Sequence, residues 1–320
     1  MQRRTFLTAT AASLATPLLR AQDLPAGPIR LVVGFPPGGG TDAVARVLAQ
    51  KLGVLWNVSV VVDNRPGAAG VIAAEYAAKQ PPDGNTLLMA NFSSHAVAPA
   101  LYPKLAYSVQ RDFTPLTLVG ITPNVLICRP DSAAKTLKDV IALCRSKPGQ
   151  VSFGSAGQGS AQHLALEMFK LRAKINALHV PYKGSGPMIT DLMGGQIDYS
   201  FETMSSAVQY VKQGKLIAIA QTSANRSPQF ADVPTIAELG FPGFQAATWY
   251  GMVGPAKMPP ALAARMNEDI NKVLAMPDVA ERLRGYSAEG GGGSMHRFAE
   301  FMAEEEDRWG KVIREAKVTL

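Results

Sequence analysis

Apolar residues recur along this chain in two alternating patterns. Residues 29–33, 58–62, 86–90, 151–153 and 216–221 are short, nearly continuous hydrophobic runs, the pattern of strands buried on both faces. Between them the spacing turns helical, at Val44, Val47, Leu48 and Leu52 and again at Leu164, Leu166, Met168, Phe169 and Leu171. Strand and helix in alternation predict a parallel sheet built from βαβ units, an α/β fold. A longer run at 116–128, interrupted by Gly120 and by Pro123-Asn124, opens a second series, and 245–253 reads as one more strand. After Pro255, Pro259 and Pro260 only helices are predicted. One spans 260–275, with Leu262, Met266, Ile270, Val273 and Leu274 on one face. The other spans 294–315, with Phe298, Met302, Trp309 and Ile313. Residues 290–293, all glycine, read as a flexible link between them, and Glu304, Glu305, Glu306 and Asp307 as a solvated helix face.

The first strand runs into Gly34-Phe35-Pro36-Pro37-Gly38-Gly39-Gly40-Thr41-Asp42 and then into a helix. Successive glycines let backbone N–H groups converge, and Thr41 or Asp42 is expected to cap a helix whose N-terminus favours an anion. A Walker loop is excluded, since no lysine follows before Lys51. A dinucleotide fingerprint remains open, because Gly38-x-Gly40-x-x-Ala43 is followed by Asp63 at the end of the next run. A carboxylate-binding loop and a plain strand-to-helix turn also remain. Strand, glycine loop and helix recur at Gly154-Ser155-Ala156-Gly157-Gln158-Gly159-Ser160, where Ser155 and Ser160 add hydroxyl donors. Two such loops suggest a ligand gripped between two lobes. Ser93, Ser94 and His95 leave the C-terminal end of the third strand, where ligands sit in open α/β sheets.

The N-terminus changes the charge picture. Met1-Gln2-Arg3-Arg4-Thr5-Phe6-Leu7, a mildly apolar stretch at 8–19 and Arg20-Ala21-Gln22 form an export signal over 1–21, too short to span a membrane. Its Arg-Arg-x-Phe-Leu resembles a twin-arginine signal. Of the formal charge of +7, Arg3, Arg4 and Arg20 carry three, leaving +4 on the mature chain. No Lys/Arg cluster with interleaved aromatics occurs, which argues against nucleic acid, while a mildly basic surface aids encounter with small acids. Cys128 and Cys144 fit either buried thiols or a disulfide, which an exported chain permits. The four histidines, 95, 163, 179 and 296, are scattered, and no metal site is expected.

Several segments together resemble one family. In the first half these are Gly34 through Asp42, Asn64-Arg65-Pro66-Gly67-Ala68-Ala69-Gly70 and Pro82-Asp83-Gly84-Asn85-Thr86. In the second half they are Gly154 through Ser160, Pro181-Tyr182-Lys183-Gly184 and Gly194-Gly195-Gln196-Ile197-Asp198. The chain resembles the Bug or TctC-like solute receptors of tripartite tricarboxylate transporters from about Pro28 to its C-terminus. The resemblance implies a two-lobe periplasmic-binding-protein fold, type II-like, with two hinge crossings near 121–125 and 246–250. Lobe 1 is then 22–122 with 246–320, and lobe 2 is 123–245. It further implies a small carboxylate solute held mainly by backbone N–H groups, without an arginine clamp. The ligand-binding positions carried over are Phe35, Pro37, Gly38, Gly39, Gly40, Thr41, Asp42, Ser94, Ser155, Ala156, Gly157, Ser160 and Asp198. Asp198 would orient the far end of the ligand, or else cap a strand end. The implied protein is a periplasmic, cofactor-free, monomeric receptor and not an enzyme. Its partner is a two-component membrane permease of this transporter type or a sensor protein. The sequence departs from the common pattern at Asn85, Cys128 and Cys144, outside the loops.

The rival reading is a periplasmic NAD(P)-dependent oxidoreductase using the glycine loop at 38–43, for which only His95 and His163 offer an acid or base. A serine hydrolase is weaker still: Gly-x-Ser-x-Gly is absent, and Ser160 with His163 has the spacing of a helix cap.

Overall fold

The computed structural model describes residues 24–319, so the export signal expected at 1–21 lies outside the described residues. Strand β1 (Ile29–Val33) is flanked in parallel by β2 (Val60–Asn64) and β3 (Thr86–Asn91), and α1 (Gly40–Trp56) and α2 (Val71–Ala78) make the crossovers. Val44, Val47, Leu48 and Leu52 of α1 are all fully buried, as their spacing predicts. The helix starts earlier than expected, with Gly39 as its N-cap and no side chain capping it. Neither Thr41 nor Asp42 is the cap. A π-helical turn, Ser93–Val97, follows β3 and runs into α3 (Ala98–Leu101), elements the apolar pattern does not announce.

Strand β4 (Phe113–Cys128) runs unbroken through Gly120 and Pro123-Asn124. Register shifts after Pro115 and Leu118 absorb its irregular residues. Residues 113–123 pair antiparallel with β9 (Ala247–Pro255), which in turn pairs with β3. Residues 124–128 enter a second group of strands. There α4 (Leu137–Ser146), β5 (Ser152–Ser155), α5 (Ala161–Ala173), β6 (Leu178–Pro181), α6 (Ser185–Met193), β7 (Tyr199–Thr203), α7 (Met204–Lys212) and β8 (Ile217–Gln221) follow in order. The strand order β2-β1-β3-β9-β4-β7-β5-β6, with β8 also on β4, makes one curled sheet of two lobes.

The chain crosses between the lobes within β4 and returns just before β9. The crossings are tied together: Asn124 N–H donates to Thr222 Oγ1 (2.8 Å), Thr222 N–H to Asn124 O (2.9 Å) and Ala246 N–H to Thr222 O (3.1 Å). The chain ends in α8 (Pro260–Leu274), α9 (Pro277–Gly285) and α10 (Met295–Glu315). The last packs Trp309 edge-on against Phe92, ring centroids 4.8 Å apart.

Residues 290–293 correct an expectation. They are not a loose link: Gly292 N–H donates to Leu118 O, Gly293 N–H to Asn271 Oδ1, and a Cβ at Gly291 would overlap Val119 O. The glycines allow close docking against β4 rather than freedom. Cys128 and Cys144 are buried free thiols, and burial pushes Cys144 up to about 11.

Candidate functional site

Four helices begin at one cavity between the lobes. Gly40 and Thr41 open α1, Ala161 and Gln162 open α5, Ser185 and Gly186 open α6, and Thr203 is the N-cap of α7, and all of them line it. Phe35, Pro36, Gly39, Asn91, Ser93, Ala156, Thr248 and Tyr250 complete the wall. The cavity is about 30 Å³, against the roughly 10–15 Å³ that a single water needs, so it admits one small polar group. None of its lining side chains is a carboxylate, ammonium or guanidinium.

Lobe–lobe contacts close the cavity. Gly40 N–H donates to Ser206 Oγ across the cleft at 2.8 Å, and Ser205 Oγ and Tyr250 OH share a hydrogen bond at 3.0 Å. Pro36 lies so close to Gly184 that a Cβ there would sit 2.8 Å from Pro36 Cδ. Burial pushes the Tyr250 phenol up to about 12, so its proton is retained.

The first glycine loop is shaped from behind. Asp42, nearly buried, accepts hydrogen bonds from Gly38 N–H (2.9 Å), Arg46 Nε (2.9 Å) and Asn64 Nδ2 (3.0 Å). Burial opposes its charge, but the bonds from Arg46, Gly38 and Asn64 prevail and hold the carboxyl below its ordinary range. Asp42 is therefore a brace set away from the cavity wall, as are Pro37 and Gly38, while Phe35, Gly39, Gly40 and Thr41 do line it. The same carboxylate argues against the dinucleotide reading. It takes the N–H of Gly38 and would face a pyrophosphate with like charge, and Asp63 is paired with Arg65 Nε at 2.9 Å.

The second loop is turned differently. Ser155 Oγ hydrogen-bonds His179 Nε2 at 2.7 Å and Gly157 O at 3.1 Å, and Ser160 Oγ accepts from His163 N–H as the α5 cap. The Ser155 hydroxyl is thus engaged by His179 and Gly157, the Ser160 oxygen accepts as a helix cap, and neither residue lines the cavity. Of this loop only Ala156 lines the cavity, and Gly157 lies on an adjoining chamber.

Two histidines that the sequence scatters come together. His163 stacks on His179 with centroids 3.9 Å apart, and its Nδ1 accepts from Gly159 N–H. Burial lowers His163 to about 3 and His179 to about 4, the neighbouring His179 ring and Lys170 adding to the first, although Glu167 lies 3.7 Å from His163 Nε2. Both rings stay neutral.

Three further positions, Ser94, His95 and Asp198, lie off the cavity wall. Ser94 does not line the cavity: its Oγ bonds His95 Nδ1 and Asn91 O, and Ser93 takes its place. His95 is fully buried against Phe113, away from the cavity wall, and lowered to about 3 by that burial. Asp198 is exposed at the start of β7, accepting from Ser152 N–H and Oγ, so it caps a strand end remote from the cleft.

Glu202 was missed. It is wholly buried behind the wall, and its Oε1 accepts from Gln162 Nε2 (3.0 Å), Ser185 Oγ (3.0 Å), Thr203 N–H (2.7 Å) and Thr203 Oγ1 (2.9 Å). Burial pushes its carboxyl up despite those bonds, which limits the negative charge behind the cavity. The signal was one acidic residue in an otherwise small and apolar strand, Tyr199-Ser200-Phe201-Glu202-Thr203.

With this geometry in view, comparison with known proteins is informative. Residues 44–318 match the tripartite tricarboxylate transporter family receptor profile, TctC. Protein BugT of Bordetella pertussis is 39% identical over 310 residues, 97% of this chain and 95% of that protein. Among solved structures, Rpa4515 of R. palustris with adipate superposes with a TM-score of 0.90 at 33% identity, covering 93% of this chain and 99% of that one. MatC (Rpa3494) from Rhodopseudomonas palustris with bound malate gives a TM-score of 0.85 at 31% identity, covering 91% and 100%.

Proposed function

The chain belongs to the tripartite tricarboxylate transporter receptor family, and from that premise we propose that it captures a small carboxylate-bearing solute in its cleft and hands it, unaltered, to a two-component membrane permease. One observation carries this reading: four helix N-termini meet at a cavity that no ionised side chain lines. Each helix end presents unpaired N–H donors and roughly half a positive charge, so four together outweigh the single charge of a carboxylate. A carboxylate is planar, small and rich in acceptors, which suits a cavity of this size. An arginine is unnecessary.

Phe35, Gly39, Gly40, Thr41 and Ala156 would touch the ligand. Gly38, Asp42, Ser155 and Ser160 would hold those residues in place. The lobes would be 22–122 with 246–320 and 123–245, and binding would close them about the tied crossings at Asn124 and Ala246. The described residues contain no helix long and apolar enough to cross a membrane. The Arg3-Arg4 pair supports export by the twin-arginine route to the periplasm.

Thermal denaturation of the refolded, ligand-stripped protein against a panel of carboxylates tests the reading. A ligand that binds only the native state raises Tm in step with RT ln(1 + [L]/Kd). A rise with carboxylates and none with NAD or NADP is expected, and the reverse would overturn it.

A further inference from the structure

Behind the inner cavity stands one acid that no base answers. Glu202 is fully buried, and the residues that bond its Oε1, Gln162, Ser185 and Thr203, all line the cavity, so a single hydrogen-bonded side chain separates the carboxyl from whatever enters. Its two oxygens are treated unequally. Oε1 takes every donor, whereas Oε2 is buried and has no hydrogen-bond partner among the described residues. Asn124, which pairs with Thr203 in the sheet, likewise has a buried Oδ1 without a donor. This part of the wall is short of protons rather than of acceptors. The titratable side chains at this end of the surrounding elements do not make up the lack. His163 on α5 is neutral, with His179 of β6 stacked on it, Tyr250 on β9 keeps its proton, and Asp42 and Arg46 on α1 pair with each other at 2.9 Å. Lys183, ahead of α6, is exposed, and β4, β5, α6 and α7 bring no titratable group to this end.

We propose that binding is proton-linked through Glu202: as an anion enters the inner cavity, one proton passes from solvent to Glu202 Oε2, and the ligand is held most tightly with that carboxyl neutral. This rests on the reading that the inner cavity holds a carboxylate. An ionised Glu202 two hydrogen-bond lengths behind the wall, roughly 6 Å from the ligand, would repel it. At that separation the repulsion raises the titration of the carboxyl by about one to two pH units. Burial already favours the neutral form, so the ligand adds to a tendency built into the fold. Protonation at Oε2 leaves Oε1 an acceptor, and Gln162, Ser185 and Thr203 keep their places. Glu202 is thus a positioning residue that sets the charge behind the ligand. Affinity is full below the titration point of the free protein, which lies above the ordinary 4.5. It falls as pH rises from there through the ligand-bound value, by about tenfold to a hundredfold in all.

The experiment titrates the stripped protein calorimetrically with succinate, adipate, citrate and benzoate from pH 5 to 9, in pairs of buffers of different ionisation enthalpy, so that the protons taken up are counted. Uptake is expected to peak at about 0.5–0.8 proton per ligand bound, in the window where affinity falls. Glu202→Gln keeps the side chain's size and an oxygen for its donors but does not titrate. Its affinity, at whatever level, should be flat across the window and its proton uptake should vanish. A readout that needs no variant is the infrared difference spectrum of the wild type with ¹³C-labelled ligand, in which a protein carboxylate band should give way to a protonated carboxyl band. Binding without proton uptake anywhere in the range, uptake that persists in Glu202→Gln, or a spectrum without that exchange would overturn the proposal while the carboxylate reading stands. Binding of none of the four acids would overturn both.

Discussion

The two glycine loops look alike as sequence and behave differently as structure. The first, at 34–42, is itself the wall of the cavity: Gly39, Gly40 and Thr41 face inward, and an ionised carboxylate, Asp42, braces them from behind. The second, at 154–160, ties its Ser155 hydroxyl to His179 and its Ser160 oxygen to the α5 cap, and is braced by two neutral imidazoles, His163 and His179. Its contribution to the cavity is chiefly the placing of α5, whose Ala161 and Gln162 reach the wall. Across the cleft the first loop makes a hydrogen bond, Gly40 to Ser206, while the second packs Gly159 near Leu101 and Val97. A glycine loop before a helix thus advertises an anion site without saying which of its groups will face the anion. That is decided by bracing partners far along the chain.

Acid separates the two braces most sharply. His163 and His179 titrate near 3 and 4 in the folded protein, below the ordinary value of 6.5. Their neutral state is held in full above pH 6.5, and its stabilisation is lost as pH falls from there toward those folded values. The expected loss is about 1.4 kcal/mol per pH unit for each ring. Asp42 is lowered rather than raised, so the first loop keeps its charge over the same window. Buried His95 adds a similar slope outside both loops. Glu202, pushed up, works the other way: it favours folding below 4.5 and costs stability as pH rises through its folded value. Unfolding measured from pH 7 to 4 should therefore show a steep loss, and His179→Gln should flatten it by about one ring's share. An unchanged slope would mean that the histidine stack is not the brace.

Steric filling should divide the loops next. A Cβ at Gly40 would overlap Ser205 Oγ, across the closing surface, and come 3.0 Å from Tyr250 OH. Gly40→Ala is expected to cost about 1–3 kcal/mol of binding, tenfold to a hundredfold in affinity, with the ligand-free melting temperature little changed. Ser155→Ala should do the opposite, lowering stability by about 1 kcal/mol through the lost His179 bond and affinity hardly at all. If Ser155→Ala weakened binding as much as Gly40→Ala, the division of labour between wall and support would fail.

Much of this architecture is legible in the order of apolar runs, because burial on both faces of a parallel strand leaves a continuous signature, as in β1 and β3. The site is less legible. Both loops can be read from glycine and strand-end position, and the Ser160–His163 cap from its spacing, yet Ser155 turns to the ring of His179, 24 residues away, which no local pattern announces. Gln162, Ser185 and Thr203 are ordinary helix-start residues until Glu202 gathers them. The glycines at 290–293 carry the composition of a linker but dock against β4, since composition reports what a backbone can do and contacts decide what it does.

The smallest expected effect bears on whether the first loop is a closing surface as well as a wall. Gly40 lines the cavity and its N–H is the first donor of α1, yet Ser206 Oγ accepts it at 2.8 Å while Thr203 Oγ1 lies 3.2 Å from the same hydroxyl. Ser206→Ala removes a lobe–lobe hydrogen bond and frees a donor at the same stroke. The first effect weakens the closed form by about 0.5–1.5 kcal/mol. The second helps only if a ligand oxygen reaches Gly40 directly, which in a cavity of about 30 Å³ competes with three other helix ends for the same small group. Loss of closure should prevail, lowering affinity about twofold to tenfold and appearing in the dissociation rate, since closure holds the ligand after encounter. Tighter binding in Ser206→Ala would instead mean that Gly40 N–H belongs to the ligand and that the serine competes for it, making the first loop a wall alone.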